Sequence, residues 1–431
     1  MHDPELAELL RRESEYYLGT VDLIAASNAP TWNVRRNLRW GVAQFRSAEG
    51  MPGKRPYAGT ENFDAIENLT ISRARSLFGA EHANVQPLSG SLANLAAFRA
   101  LLSAGDTILS MSLQSGGHLT HGHPRHIVSD LYHVVWYSVD RATGFLDYNQ
   151  IRDIALRTRP RVIVAGSSSY PRIIDFSAIA RICEETGATL VADVSHIAGL
   201  VVSKLHPNPC EMGAVTTTSV EKTLRGTRGG LVLCRAALAG TIDRAVFPGL
   251  QSSVGLAGLV SLAHALRDAQ TEEFREYQRQ VVANARALAE TLVAGSIPVL
   301  TGGTDTHLVL LDVSRLGLSG RAAEARLSSI SILSNRNSIP FDPLPPFEAS
   351  GLRLGTPTIT SRGFSLEEVK EVGSIISDAL RSRDWGVEHS KRFGARVADL
   401  AARRRAGDTL GDLLNDSSER TVEAQWKAAY E

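Results

Sequence analysis

The stretch between Asp193 and Lys222 restricts this chain more than any other. Val-Ala-Asp-Val-Ser-His (191–196) follows an apolar run, and Glu-Lys-Thr-Leu-Arg-Gly-Thr-Arg-Gly-Gly (221–230) follows Ala-Val-Thr-Thr-Thr-Ser-Val (214–220). The pattern reads as an aspartate leaving a buried strand, then a lysine beside hydroxyls and glycines. Pyridoxal 5'-phosphate (PLP) requires such a pair. The lysine amine forms a Schiff base with the cofactor aldehyde, and the carboxylate keeps the pyridinium nitrogen protonated, so that the ring can accept electrons from Cα. Alone, either residue says little, because most lysines are solvated and most aspartates at strand ends cap something.

Further blocks stand around the pair in a fixed order. Pro-Gly-Lys-Arg (52–55) leads to Tyr57, and Ala-Asn-Val-Gln-Pro (83–87) leads to Ser89-Gly90-Ser91. Gly-Gly-His-Leu-Thr-His-Gly (116–122) precedes Asp193 and His196, and Val-Phe-Pro-Gly (246–249) follows the lysine. Asn-Ser-Ile-Pro (337–340) and Ser-Gly-Leu-Arg-Leu-Gly-Thr-Pro (350–357) close the set. In these blocks the chain resembles the serine hydroxymethyltransferases, from about residue 18 to about residue 378.

Periodicity predicts the architecture. Phe63, Ile66, Leu69, Ala74, Leu77 and Phe78 recur at helical spacing over 60–78, with Gly79 placed to stop the helix, and 91–102 repeats the pattern up to Gly105. Ile127–Ser129 and Val134–Ser138 read as weak strands, Val162–Ala165, Leu190–Ala192 and Leu231–Cys234 as firmer ones. Alternation of this kind gives an α/β fold, a mostly parallel sheet flanked by helices. A long helix with Tyr277, Val281, Ala285, Leu288 and Leu292 on one face follows, then a strand at His307–Asp312. The expected division is an N-terminal arm (1–30), a large PLP-binding domain (31–280) and a smaller C-terminal α/β domain (281–431). The resemblance implies PLP fold type I. From about residue 384 the chain is rich in charge and alanine, which predicts a surface helix.

With 431 residues the chain can bury a large core. Its 46 basic and 46 acidic residues balance, which favours neither nucleic acid nor a membrane as partner. Cys183, Cys210 and Cys234 show no CxxC spacing, so neither a disulfide framework nor a zinc site is expected, and no metal is assigned. The start, Met-His-Asp-Pro-Glu-Leu, lacks the apolar core of a signal peptide, and no apolar run is long enough to cross a bilayer. A cytoplasmic protein is the expectation.

The resemblance distributes roles. Lys222 and Asp193 hold PLP, with Ser89, Gly90 and Ser91 at its phosphate, where hydroxyls and free N–H groups at a helix start make an anion site. His118 stacks on the ring, His121 is structural, and His196 reaches the cofactor O3′ and the substrate carboxylate. Ser168, Ser219 and Gly249 complete the cofactor set. Arg353 clamps the α-carboxylate through two parallel hydrogen bonds, which orients the other Cα substituents. Glu49 is the acid–base carboxylate, with Ser47, Tyr57 and Glu221 also on the substrate side. Because Glu49, Tyr57 and the Pro-Gly at 248–249 come from the neighbouring subunit in this fold, an obligate homodimer with shared sites is implied, with a tetramer left open.

The chain departs from the family pattern inside this site. Ala26-Ser27-Asn28 stands where the family has Ser-Glu-Asn, Ser47 where it has Tyr, and Pro56 where a Tyr-Tyr pair begins. Val220-Glu221 replaces the Thr-His before the lysine, and Leu250 replaces a glycine. Each lost aromatic contact removes on the order of 1 kcal/mol of stacking, which puts tetrahydrofolate in doubt. The leading expectation is therefore a PLP enzyme diverted to a bulkier L-amino acid in specialised metabolism such as antibiotic assembly, for example β-elimination or decarboxylative deamination of an S-substituted cysteine. Its alternatives are ordinary folate-dependent interconversion of serine and glycine, a threonine transaldolase or α-methylserine aldolase, and a non-catalytic regulatory subunit.

Overall fold

The computed structural model describes residues 3–37 and 46–405. Met1, His2 and the charged tail after residue 405 lie outside these residues. Seven strands form the central sheet: β1 (His82–Asn84), β2 (Thr107–Met111), β3 (His133–Tyr137), β4 (Val162–Gly166), β5 (Thr189–Asp193), β6 (Val215–Ser219) and β7 (Gly230–Cys234). Their order across the sheet is β1-β7-β6-β5-β4-β2-β3. The pairs from β3 through β2, β4 and β5 to β6 are parallel, whereas β7 is antiparallel to both β6 and β1. All five residues of β4 and of β6 are buried. That is the pattern of strands covered on both faces, and it explains why β4 reads as an unbroken apolar run.

The helices that cover the sheet follow from their sequences. Glu61–Phe78 buries Phe63, Thr70, Ala74 and Phe78 and ends at Gly79, which is left-handed (φ 67°) and donates to the Arg75 carbonyl. Gly90–Leu101 starts at Ser89, whose side chain accepts from the Leu92 amide. It ends at Leu101, ahead of Gly105. Ile127–Ser129 is a correction. These residues open a short helix, Ile127–Leu131, capped by the His126 side chain, with only Val128 of the three fully buried. So short a run fits either element: Ile127 is exposed, Val128 buried and Ser129 half-buried.

Helix Glu272–Ala294 joins two apolar cores. Phe274 and Val282 pack with the cluster under the central sheet, and Leu288, Ala289 and Leu292 pack with a second cluster. The second cluster surrounds a three-stranded antiparallel sheet in which Gly351–Gly355 lies between Leu308–Asp312 and Asn335–Asn337. Val21 and Leu23 belong to it too, because Val21–Asp22 pairs in parallel with Ile332–Leu333. The chain after 384 forms the helix Val387–Arg405. It is not purely a surface element: Phe393, Val397 and Leu400 are at most 3% exposed and complete the second core, and Arg404 pairs with Glu368.

Among the described residues, no helix is long and apolar enough to cross a membrane. The three cysteines are free thiols.

Candidate active site

The C-terminal ends of β4, β5 and β6 converge beside the N-terminus of helix Gly90–Leu101, the place where a parallel sheet presents backbone and side chains to a ligand. A cavity of about 160 Å³ opens there. Ser89, Gly90, Ser91, His118, Ser168, Asp193, His196, Ser219, Glu221 and Lys222 all line it, so ten of the sequence-predicted residues are brought together.

Asp193 ends β5, and its carboxylate accepts three hydrogen bonds. Oδ2 accepts from Asn94 Nδ2 (2.8 Å) and His121 Nε2 (3.0 Å), and Oδ1 accepts from the Ser195 amide (2.9 Å). The tautomer of His121 follows from its other nitrogen, which accepts from the His118 amide at 3.2 Å. Burial alone would push this carboxyl up. The hydrogen bonds from His121 and Ser195 outweigh burial and hold it well below the usual carboxylate range. A chain of polar contacts extends outward: Thr217 Oγ1 donates to Asn94 Oδ1, Asn94 Nδ2 also donates to Thr120 Oγ1, and that hydroxyl meets His118 Nδ1 at 2.8 Å. Burial lowers His118 to a pKa of about 4, so the imidazole is neutral.

Lys222 is shifted down. Burial is the main cause, Arg353 and Arg228 add to it, and Asp193 and Glu221 oppose it. An amine so placed is neutral at a lower pH than a surface lysine, as a nucleophile needs to be. Its backbone is fixed from the N-terminal arm, since Asn28 Nδ2 donates to the Lys222 carbonyl (2.9 Å) and to the Tyr277 hydroxyl (3.0 Å).

The cavity fits the phosphate end of PLP. Ser219 Oγ is buried without a hydrogen-bond partner among the described residues, in a cavity that Arg228 also lines. A Cβ on Gly90 would come within 3.0 Å of Ser219 Cβ and 3.1 Å of Ser195 Oγ, so glycine keeps the cradle open.

Arg353 reaches the site from the second sheet. Its Nη1 donates to the Ser168 carbonyl (2.5 Å) and its Nε to Asn335 Oδ1 (3.1 Å), both uncharged acceptors. Burial lowers the guanidinium to a pKa of about 10. His196 is 4% exposed, and its ring stacks on that of His307 at 5.5 Å. Burial, then the charges of Lys222 and Arg353, keep His196 neutral. Asn337 Nδ2 donates to Ser169 Oγ (3.2 Å).

Five predicted residues do not line this cavity: Arg353, which reaches only the Ser168 carbonyl of its wall, and Glu49, Ser47, Tyr57 and Gly249. Ser47 and Ala48 pair with Val254–Gly255, Glu49 follows them, and Tyr57 is 46% exposed. Asn94, Ser195 and His307 were missed as site residues. His121, read from its block as structural, holds the Asp193 carboxylate. Asn94 carries no signal, being one polar residue on an otherwise ordinary helix.

The sequence pattern of the family "Serine hydroxymethyltransferase" matches residues 1–376. A serine hydroxymethyltransferase of Coprothermobacter proteolyticus is 47% identical over 386 residues, which cover 90% of this chain and 93% of that protein. The helix Val387–Arg405 lies beyond the part that matches the family.

Proposed function

Because the chain belongs to the serine hydroxymethyltransferase family of PLP-dependent enzymes, we propose that it carries out the ordinary reaction, exchange of a hydroxymethyl group between L-serine and tetrahydrofolate with glycine as the other amino acid. The observation that carries the amino-acid half is Arg353, a partly buried cation whose hydrogen bonds go to uncharged acceptors, one of them a carbonyl of the cavity wall. An incoming α-carboxylate would give it the charged partner that none of the described residues supplies. The one-carbon half rests on the similarity to the Coprothermobacter enzyme, on Glu49, and on Asn337, which stands where the family pattern has a residue that contacts the pterin.

When bound, PLP supplies an electron sink for the bond broken at Cα. Lys222 would hold the cofactor, Asp193 would keep its ring nitrogen protonated, and Ser89, Gly90, Ser91 and Ser219 would hold its phosphate. His118 would cover the ring with its neutral imidazole. Arg353, with His196 beside it, would fix the carboxylate and so decide which Cα substituent stands ready to leave. Glu49 would take the proton from the serine hydroxyl as Cα–Cβ breaks, and tetrahydrofolate would accept the one-carbon unit. Glu49, Tyr57 and Gly249 lie away from this chain's own cavity, which supports a homodimer in which each subunit completes its partner's site.

One feature favours the second reading, a bulkier substrate without folate: Ala26, Ser47, Pro56 and Glu221 all change the substrate side while the cofactor residues are kept. The extent of identity to a serine hydroxymethyltransferase weighs more. Steady-state serine cleavage with saturating tetrahydrofolate tests the choice. A kcat/KM of about 10⁴ M⁻¹s⁻¹ or more supports the ordinary reaction. A value far below that, with faster turnover of larger β-substituted amino acids, overturns it in favour of the second reading.

A further inference from the structure

Glu49 stands just past the two-residue strand Ser47–Ala48, outside any helix or longer ladder. Its backbone must be fixed by something else. The Arg55 guanidinium grips it from both sides. Nη1 donates to the carbonyl of Ala48 (3.3 Å) and to that of Gly50 (2.9 Å), the two residues that flank Glu49. The other nitrogens are held in turn: Nε donates to Asp64 Oδ1 (2.5 Å), and Nη2 pairs with Glu67. Asp64 and Glu67 both stand on helix Glu61–Phe78, and the Arg55 and Glu67 side chains have no solvent exposure. Gln86 adds a second hold on the same peptide, its Nε2 donating to the Gly50 carbonyl (3.0 Å) and to Glu67 Oε1 (2.8 Å).

A buried ion pair of this kind adds little net stability, because desolvation of both charges offsets their attraction. What the network does supply is geometry. A planar fork bonded on two edges to a rigid helix can hold two carbonyls at fixed positions, and an ammonium on a flexible stem cannot. We propose that Arg55 is a positioning residue for Glu49: held by Asp64 and Glu67, it clamps the carbonyls of the residues before and after Glu49 and so sets where that carboxylate points. The proposal rests on the reading of Glu49 as the acid–base group, and it holds whichever subunit's cavity Glu49 serves.

The alternative is a staple that only ties the loop to the helix. A double-mutant cycle separates the two, because residues acting through one another are non-additive. Arg55→Lys, Glu49→Gln and the double variant are purified with cofactor, and kcat, KM for serine, cofactor absorbance and thermal midpoint are measured. Arg55→Lys should lower kcat by about tenfold or more with KM changed less than about threefold and cofactor absorbance kept, and in the Glu49→Gln background it should cost less than about twofold. Should Arg55→Lys not fold, Gln86→Met releases the second hold on Gly50 while leaving the Arg55–Glu67 pair, and is run through the same cycle with the same expectation. An impaired Glu49→Gln on which either substitution multiplies in full would overturn the proposal and leave the role of Glu49 standing. A fully active Glu49→Gln would overturn that role, and the proposal with it.

Discussion

His121 Nε2 lies 3.0 Å from Asp193 Oδ2, and the other nitrogen of the same ring accepts from the His118 amide. One side chain thus ties the carboxylate at the end of β5 to the loop that carries the histidine over the cavity. Hydrogen bonds to a charged group are the strong kind. His121→Ala leaves Asp193 with Asn94 and Ser195 alone, and its carboxyl rises toward the usual range. Cofactor affinity should then fall about ten- to a hundredfold, the equivalent of one such bond. His121→Gln, which keeps a donor, should lose less. Titration of the apoenzyme with PLP measures both, and equal affinities in wild type and His121→Ala would remove His121 from the site.

Glu221 beside Lys222 makes a prediction of definite sign. Its charge raises the lysine, against the larger lowering by burial. Glu221→Gln removes that opposition, so the free amine forms at lower pH. Loading of apoenzyme with PLP, which requires the free amine, should reach its half-maximal rate at a lower pH than in wild type. Lys222→Ala should lose the absorbance of lysine-bound cofactor, and activity should drop by on the order of 10³-fold or more. A Lys222→Ala variant with native activity would refute the whole cofactor assignment.

Arg353 donates to the Ser168 carbonyl while awaiting a charged partner. Arg353→Ala should raise KM for the amino acid strongly, by the loss of a charge-assisted pair of roughly 2–5 kcal/mol. Arg353→Lys keeps the charge but not the two parallel bonds, so it should recover part of the affinity and less of the reaction specificity. Product analysis alongside KM reads both effects. If neither affinity nor products change, the carboxylate is bound elsewhere.

The parts of this site that were legible in the sequence were those carried by short blocks with chemical content. Asp193 at a strand end, Lys222 after a hydroxyl-rich strand and Ser89-Gly90-Ser91 at a helix start each announce both a local structure and a chemistry. Residues that act at long range were not legible. Nothing in the sequence around Asn94 tells that it donates to Asp193, ninety-nine positions on, and nothing around His307 tells that it stacks on His196. The misread segment at 127–129 shows the same limit in the fold. Two apolar residues and a serine fit a strand or one turn of helix equally, and the His126 cap decided between them. The tail helix was recognised by composition, but its buried stripe of Phe393, Val397 and Leu400 depends on a core built by residues far away.

Buried neutral histidines give the protein a pH dependence of stability. Burial lowers His118 and His206 to about 4 and His307 to about 3. Unfolded, each titrates near 6.5. Below that pH the unfolded chain binds protons that the folded one does not. The stability these groups contribute is therefore complete above about 6.5 and is lost as pH falls through about 4 and then 3. The thermal midpoint should drop steadily between pH 6.5 and 4.5. His206 lies outside the cavity, its Nε2 accepting from the Ile174 amide (3.2 Å) and its Nδ1 meeting the Pro207 carbonyl (3.2 Å). His206→Gln should flatten the decline without changing turnover. An unchanged slope would exclude His206 as a contributor.

Glu49 and Lys222 make the sharing of sites between subunits testable without a structure of the dimer. Glu49 does not line the cavity that holds Lys222 in the same chain. If each site takes Lys222 from one subunit and Glu49 from the other, Lys222→Ala and Glu49→Gln homodimers are both defective. A mixed dimer of the two variants, however, contains one site with both native residues and one site with neither. Random re-pairing of equal amounts should restore about a quarter of wild-type activity, since half of the dimers are mixed and each has one whole site. If both residues instead served the same chain's cavity, every site in the mixture would carry a defect and no activity would return. Unfolding and refolding the two variants together, with each refolded alone as control, distinguishes these outcomes. Sedimentation of the products establishes that dimers formed. Mixed dimers at the level of either control would overturn the shared-site reading.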